Sequence, residues 1–574
     1  DAEPPLAAAG CALLSRYLIS VSSTARGRQV DAIAIRKLLV LLTKIVSRDG
    51  LQALQYPALS EHAATMVRTA ALQAAAQLQV AAVHAPEHHA ELASQLTPWL
   101  FELRSCWMAT LCDFAALEAV PKLARRAYRP YLHAGTAAAE SRHHIAHAAP
   151  VVLEAVVTLV RDAAWLDERD AKEEAQAPVA DSVADVASQS QQRITVRSAE
   201  ADGGLLLGLC CHALESKAAL LAQAHRADEP LCLIAISALK ALLTPERYLT
   251  PQAVPPTELL LLLGQLRALA VQPTAALELR RKVAELAVQL MGDVGGYVCA
   301  IQGGESALLG ELQRLAAAPL FHALPHLAKL STAPQSVAGP ISESEAPLVC
   351  LALHALSALP ASLPEAPKMA ILPTSLLAVL QAAAGCAASA SAPQQLADEC
   401  TRSLGELLAL CDVSQPSALA LLHSAAETVL QLHARSGAAS GAAASLSVPL
   451  LFKLAQQVPL LTDAEAQLHG RVGAALVGLL SSAEHVVQQA ALRAFASFLH
   501  ASGASALGVK YMRAMLPDVA ALLVREGGTD RIDAVKALLL ACTVCPAEAS
   551  TSLLSLALPL FVGCLWLPPP PPGP

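Results

Sequence analysis

Apolar residues recur along most of this chain at three- and four-residue intervals, the spacing that lines one face of a helix. The segment "QVDAIAIRKLLVLLTKIV" (Gln29 to Val46) shows it, as does "ATMVRTAALQAAAQLQVAAV" (Ala64 to Val83). The pattern returns in "LCLIAISALKALL" (Leu231 to Leu243), "TELLLLLGQLRALA" (Thr257 to Ala270) and "ALELRRKVAELAVQLMG" (Ala276 to Gly292). Further on come "APLVCLALHALSAL" (Ala346 to Leu359) and "QLADECTRSLGELLALC" (Gln395 to Cys411). Clusters of Pro, Gly and Ser separate these pieces and read as their boundaries.

The pieces pair. In "GRVGAALVGLLSSAEHVVQQAALRAFASFLHAS" (Gly470 to Ser502) one helix ends near Leu480 and a Ser-Ser turn follows. The next helix is expected to carry Val486, Val487, Ala490, Ala491, Ala494, Phe495 and Phe498 inward. This resembles a HEAT unit, with Ser482 where the turn usually has Asp and Gln488 where the second helix usually has Arg. Arg68 keeps that arginine in "MVRTAALQAAAQL". One hairpin cannot bury its apolar face alone, so stacked neighbours share a continuous core. The expected fold is all-α, an α-solenoid of stacked HEAT-like helical hairpins of the ARM/HEAT type.

Three stretches interrupt the periodicity. Residues 167–204 are polar and acidic and read as a disordered insertion between HEAT-like repeats at 1–166 and 205–330. Residues 331–346 read as a linker before further repeats at 347–567, with "SGAASGAAASLS" (Ser436 to Ser447) as a shorter one inside them. Residues 568–574 form a polyproline tail, which cannot be helical.

Composition agrees with the periodicity. The chain has 574 residues, 54% hydrophobic but only 3% aromatic, so strand-forming residues are too sparse for much sheet. Mean hydropathy is +0.45, which raises the question of a membrane. A span needs about 20 apolar residues. "LLSLALPLFVGCLWL" (Leu553 to Leu567) falls short and contains Pro559 and Gly563, so no transmembrane segment is expected. The chain opens on acids at Asp1 and Glu3, without the basic start of a secretory signal. A net charge of −8 argues against nucleic acid as a partner. The 14 cysteines are scattered through apolar runs, which fits a reducing compartment.

Candidate chemistry is thin. "ESRHHIAHAAP" (Glu140 to Pro150) sets His143 and His147 four apart on one helical face, beside His144. That spacing can present two imidazoles to zinc. A catalytic zinc helix also needs Glu beside the first histidine, and here that place holds another histidine. With Pro150 expected to open the following helix, the three histidines are placed on a polar surface at a repeat junction, and a metal-dependent enzyme is the last alternative. "CTVCP" (Cys542 to Pro546) is a lone CxxC without two further ligands. "GDVGGYVCAIQGGES" is glycine-rich without strand flanks and reads as a connection. No phosphate-binding loop or nucleophile elbow is present. No cofactor is expected. Lys122, Arg125, Arg126 and Arg129, with Tyr128 and Tyr131, make a basic and aromatic cluster that could meet acidic lipid headgroups or an acidic peptide.

Several segments, in order and spacing, resemble one family. They are "LRSCWMATLCDFAALEA" (Leu103 to Ala119), "LLLGLCCHAL" (Leu205 to Leu214) with "CLIAISALKALL" (Cys232 to Leu243), "LALHALSALPASLPEAPKMAILPTSLLAVL" (Leu351 to Leu380) and "LGVKYMRAMLPDVAALL" (Leu507 to Leu523). They are similar to the C-terminal part of the HEAT-repeat-containing protein 5 family. The resemblance implies a large cytoplasmic solenoid without catalytic residues, of which this chain, beginning at Asp1 rather than Met, would be the C-terminal portion. It implies a scaffold for clathrin-adaptor-dependent transport between endosomes and the trans-Golgi network. Clathrin-adaptor-associated factors and dynein machinery would be its partners, and membrane association would be peripheral, at endosomes and Golgi. A karyopherin-like nuclear transport receptor, also an acidic helical solenoid, is the alternative.

Overall fold

The computed structural model describes residues 4–23, 32–46, 60–117, 137–161, 204–215, 229–245, 247–272, 275–301, 305–323, 344–388, 394–411, 463–480 and 485–502, with scattered positions between 419 and 558. The expected insertion, the shorter Ser-Gly-Ala linker, the proline tail, the CxxC pair and nearly all of the 331–346 linker lie outside these residues. Among the described residues every regular element is a helix. The chain divides into two compact units, Asp1–Leu286 and Ala287–Pro574.

In the first unit the helices are α1 (Pro4–Ser23), α2 (Ala32–Val46), α3 (Glu61–His84), α4 (Pro86–Leu96), α5 (Leu100–Leu117), α6 (Ala137–Arg161), α7 (Gly204–Glu215), α8 (Glu229–Leu242) and α9 (Pro256–Val271). Helix α10 (Leu277–Asp293) follows.

Helix α3 is the centre of this unit. Ser60 caps it, its Oγ accepting from the Ala63 amide at 3.2 Å and satisfying one of the free donors of the first turn. Eleven of its residues are buried, among them Thr65, Ala71, Leu72, Ala75, Leu78 and Ala82, so α1, α2, α4, α5 and α6 can all lie against it. Alanine permits this crowding, because a methyl group lets neighbouring backbones come close while leucine fills the seams. Each fully buried leucine contributes about 1.5–3 kcal/mol. Polar ties sit inside the seams. Trp107 of α5, fully buried, donates its indole N–H to the Leu72 carbonyl at 3.2 Å. Gln79 of α3 donates to Thr158 of α6 at 3.4 Å, and Ser15 of α1 donates to Gln77 at 2.7 Å.

In the second unit come α11 (Gly295–Ala300), α12 (Glu305–Ala323), α13 (Ala346–Ser362), α14 (Glu365–Ala388) and α15 (Gln394–Ala409), of which α12 to α15 pack in succession. Helices α16 (Asp463–Leu480) and α17 (His485–Ser502) form the hairpin expected from the sequence, in contact with each other. Val487, Ala491, Phe495 and Phe498 are buried and Ala494 is half-buried. The side chains of Val486 and Ala490 lie outside the described set. Gln488, at the usual arginine position, is buried.

Proline and glycine behave differently here from the sequence expectation. Pro150 lies inside α6 rather than at its start, and Pro319, Pro360 and Pro373 lie inside α12, α13 and α14. An interior proline costs about 3 kcal/mol or more, and the packing of these long apolar helices outweighs that cost. The glycine-rich "GDVGGYVCAIQGGES" is not a plain connection, since Gly295–Ala300 within it folds as α11. A Cβ at Gly295 would lie 1.9 Å from the Ser362 carbonyl oxygen, so that contact requires glycine. Ser362 also donates its hydroxyl to the Met291 carbonyl at 2.7 Å, fastening the end of α13 to the end of α10.

The sequence has no unbroken apolar run of spanning length. By length and mean composition two helices do reach it, Pro4–Val21 and Glu365–Ala383. The difference arises because single polar residues such as Ser15 and Arg16 break a run without lowering its mean much. Helix α14 is packed against α12, α13 and α15 and reads as a core helix.

Candidate interaction surfaces and the histidine cluster

Helix α6 carries the sequence-predicted histidines. Its inner face, with Ile145, Ala148, Ala149, Val152 and Val156, is buried. His143 and His147 are exposed, as expected of a solvated face. His144 departs from that expectation. It is half-buried, and its Nε2 is shut off from solvent without a hydrogen-bond partner. The reason is that α6 continues through Pro150, which lays the Glu140–Pro150 stretch alongside the start of α3 instead of at an open junction.

A fourth histidine completes the cluster, and sequence reasoning missed it. His62, in the first turn of α3, brings its ring centroid to 5.1 Å from that of His144 and 6.1 Å from that of His143. The His143 and His144 centroids are 3.6 Å apart. The Nδ1 of His62 is also buried without a hydrogen-bond partner. Burial is the main cause that lowers the pKa of His144, followed by the neighbouring His143, His62 and His147. Among the described residues, no group of three or more His, Cys, Asp or Glu side chains has the arrangement of a metal site. His88 and His89 lie apart on α4, where burial and then His88 lower the pKa of His89, against the opposing pull of Glu87.

The basic and aromatic cluster of Lys122, Arg125, Arg126 and Arg129 falls outside the described residues. The exposed apolar surface is elsewhere. Leu6, Leu13 and Tyr17, at helical spacing on α1, are 66%, 71% and 54% exposed, while Cys11 and Leu18 face inward. Phe101 on α5 is also exposed.

The second unit has a charged seam. Arg402 of α15 is held by Glu399 and by Glu406 at 2.6 Å, and donates to His354 Nδ1 of α13 at 2.8 Å. Ser357 of α13 donates to Glu406 at 2.7 Å, closing the network. Near the hairpin, the buried His469 Nδ1 and the Tyr511 hydroxyl lie 2.9 Å apart, and burial raises the Tyr511 pKa. Arg471 pairs with Glu427, one of the two bonds at 2.9 Å. Burial pushes Cys11, Cys211 and Cys411 up to about 11, so these remain thiols at neutral pH and are poor nucleophiles.

Hairpins of amphipathic helices sharing a leucine and alanine core define an all-α protein of the HEAT/ARM solenoid class. Residues 1–116, from α1 into α5, match the family model of the Laa1/Sip1/HEATR5 HEAT repeat region, the family that the sequence resembles. Of the segments that carry the resemblance, Leu103 to Ala119 overlaps this match. No curated protein matches the chain. Among solved structures, Kap121p bound to RanGTP is similar at 11% identity, covering 96% of this chain and 51% of its own, with a TM-score of 0.36. A homology model of the full-length AP-3 complex in an intermediate open conformation is similar at 14% identity, covering 97% and 80%, with a TM-score of 0.35. UNC-45 from Drosophila melanogaster is similar at 12% identity, covering 93% and 73%, with a TM-score of 0.23. This chain therefore spans about half the length of Kap121p.

Proposed function

We propose that this chain is a non-enzymatic HEAT-repeat scaffold of intracellular vesicle traffic, supporting clathrin-adaptor-dependent transport between endosomes and the trans-Golgi network. The match of residues 1–116 to the Laa1/Sip1/HEATR5 HEAT repeat region supports this reading. The described helices fit it, because their chemistry is that of packing and surface presentation. The partners proposed are clathrin-adaptor-associated proteins and dynein machinery, with the chain in the cytoplasm and peripheral at endosome and Golgi membranes. Proximity labelling with the tagged chain in cells tests it. Adaptor subunits should be enriched over an unrelated helical-repeat control. Enrichment of nuclear transport factors that changes with the Ran nucleotide state, without adaptor subunits, would overturn it in favour of a karyopherin-like receptor.

A further inference from the structure

We propose that His144, packed against His62 and His143, is a proton-sensitive latch, which holds the start of α3 against α6 while its imidazole is neutral and loosens as it takes up a proton. The juxtaposition is built by two helices more than one repeat apart in sequence. Three rings lie within 3.6–6.1 Å of one another, centroid to centroid. Neutral imidazoles tolerate that spacing, whereas imidazolium ions so close repel through a partly desolvated medium. Two ring nitrogens, His62 Nδ1 and His144 Nε2, are buried and unpartnered, so a proton added there would find no acceptor. His62 stands in the first turn of α3, just after the Ser60 cap.

Charged groups stand on both helices. On α6, Arg142 adjoins the cluster in sequence and carries a fixed positive charge, and His147 lies one turn beyond His143. On α3, Glu61 adjoins His62 and supplies a carboxylate to that turn. Helices α5 and α8 also lie against α6, but among the described residues the charged groups acting on His144 are His143, His62 and His147. The folded state thus binds protons at His144 less readily than the unfolded chain does. Stability from this contact is complete above the ordinary imidazole range, about 6.5, and falls as pH drops below it. Histidine is the side chain suited to such a response between pH 5 and 8.

Hydrogen exchange of the full chain at pH 7.5 and 5.5, with times scaled for the intrinsic exchange rate, tests the latch. Peptides covering 61–70 and 141–150 should lose roughly tenfold or more of their protection at the lower pH, since like charges at these separations cost at least that much. Peptides of α9, which has no histidine, should not change. His144→Gln and His62→Gln, made separately, should each remove most of the pH response. Unchanged protection of the wild-type peptides would overturn the proposal, whatever the variants do. So would a loss shared equally by α9, or a pH response that survives in both variants. Stabilisation of the same peptides by one equivalent of zinc at pH 7.5, abolished by His144→Gln, would also overturn it, by making a metal rather than the proton the ligand.

Discussion

Helices α3 and α6 of the first unit meet over alanine, leucine and valine, and the margin of their contact is made of imidazoles. Helices α13 and α15 of the second unit meet over the same residue types, and their margin is Arg402 between two glutamates and His354. Both seams are apolar inside, so the apolar interior does not explain the difference. Polar chemistry at the rim does. A half-buried imidazole among imidazoles is the kind of rim proposed above to respond to protons, whereas a guanidinium among carboxylates is screened by salt and keeps its charge near neutrality. The units of one helical-repeat chain can therefore differ in what perturbs them while sharing one packing grammar.

The most disruptive test lies behind the first seam. Replacing Trp107 with Ala should cost about 3–5 kcal/mol, because it empties a fully buried indole site and removes the bond to the Leu72 carbonyl. Denaturant unfolding followed by circular dichroism would measure it, and a cost under about 1 kcal/mol would mean that α5 is not anchored through this ring. In the second unit, Gly295→Ala should cost about 2–3 kcal/mol, since the new methyl meets a backbone oxygen that cannot rotate away. Gly292, one turn earlier and with open space around it, should gain about 0.5–1 kcal/mol from the same change. Equal effects of the two alanines on the melting temperature would show that the Ser362 contact does not constrain this turn.

Removing one hydroxyl should have a smaller effect. Tyr511→Phe removes the hydroxyl 2.9 Å from the buried His469 Nδ1, at a cost of about 1–2 kcal/mol. Chemical denaturation should show the loss, and an unchanged midpoint would count against this bond as a fastener of the hairpin. The smallest effect belongs to the second seam itself. Arg402→Met should change stability by about 1 kcal/mol or less, since the side chain is partly exposed, and the difference should shrink in 1 M salt. If the variant differed from the wild type equally in low and high salt, the contrast between a proton-sensitive and a salt-sensitive seam would fail.

Helix type and order were legible because three- and four-residue periodicity is a local property. In the hairpin at Gly470–Ser502 the inward positions Val487, Ala491, Phe495 and Phe498 were legible, while Ala494 is only half-buried. Proline and glycine misled for one reason. Their local preferences mark boundaries, but tertiary packing carried α6 through Pro150 and turned Gly295 and Gly296 into a short helix. The histidine cluster was half legible. His143, His144 and His147 announced themselves by spacing, but His62 stands about 80 residues earlier, and nothing local ties it to them. A hint was present: Ser60 is a good helix cap, so His62 could be placed in a first turn. The Gly295 contact was invisible, because it depends on a carbonyl of another helix.

That contact has a consequence for how the chain can vary. Most crowded positions in a protein can accept a larger residue once a neighbouring side chain shrinks. At Gly295 the obstacle is main chain, which no substitution of Ser362 would remove. Change there must come through displacement of whole helices rather than through exchange of neighbours, so this single atom-sized gap fixes the spacing of α11 and the end of α13 more firmly than any side chain between them could.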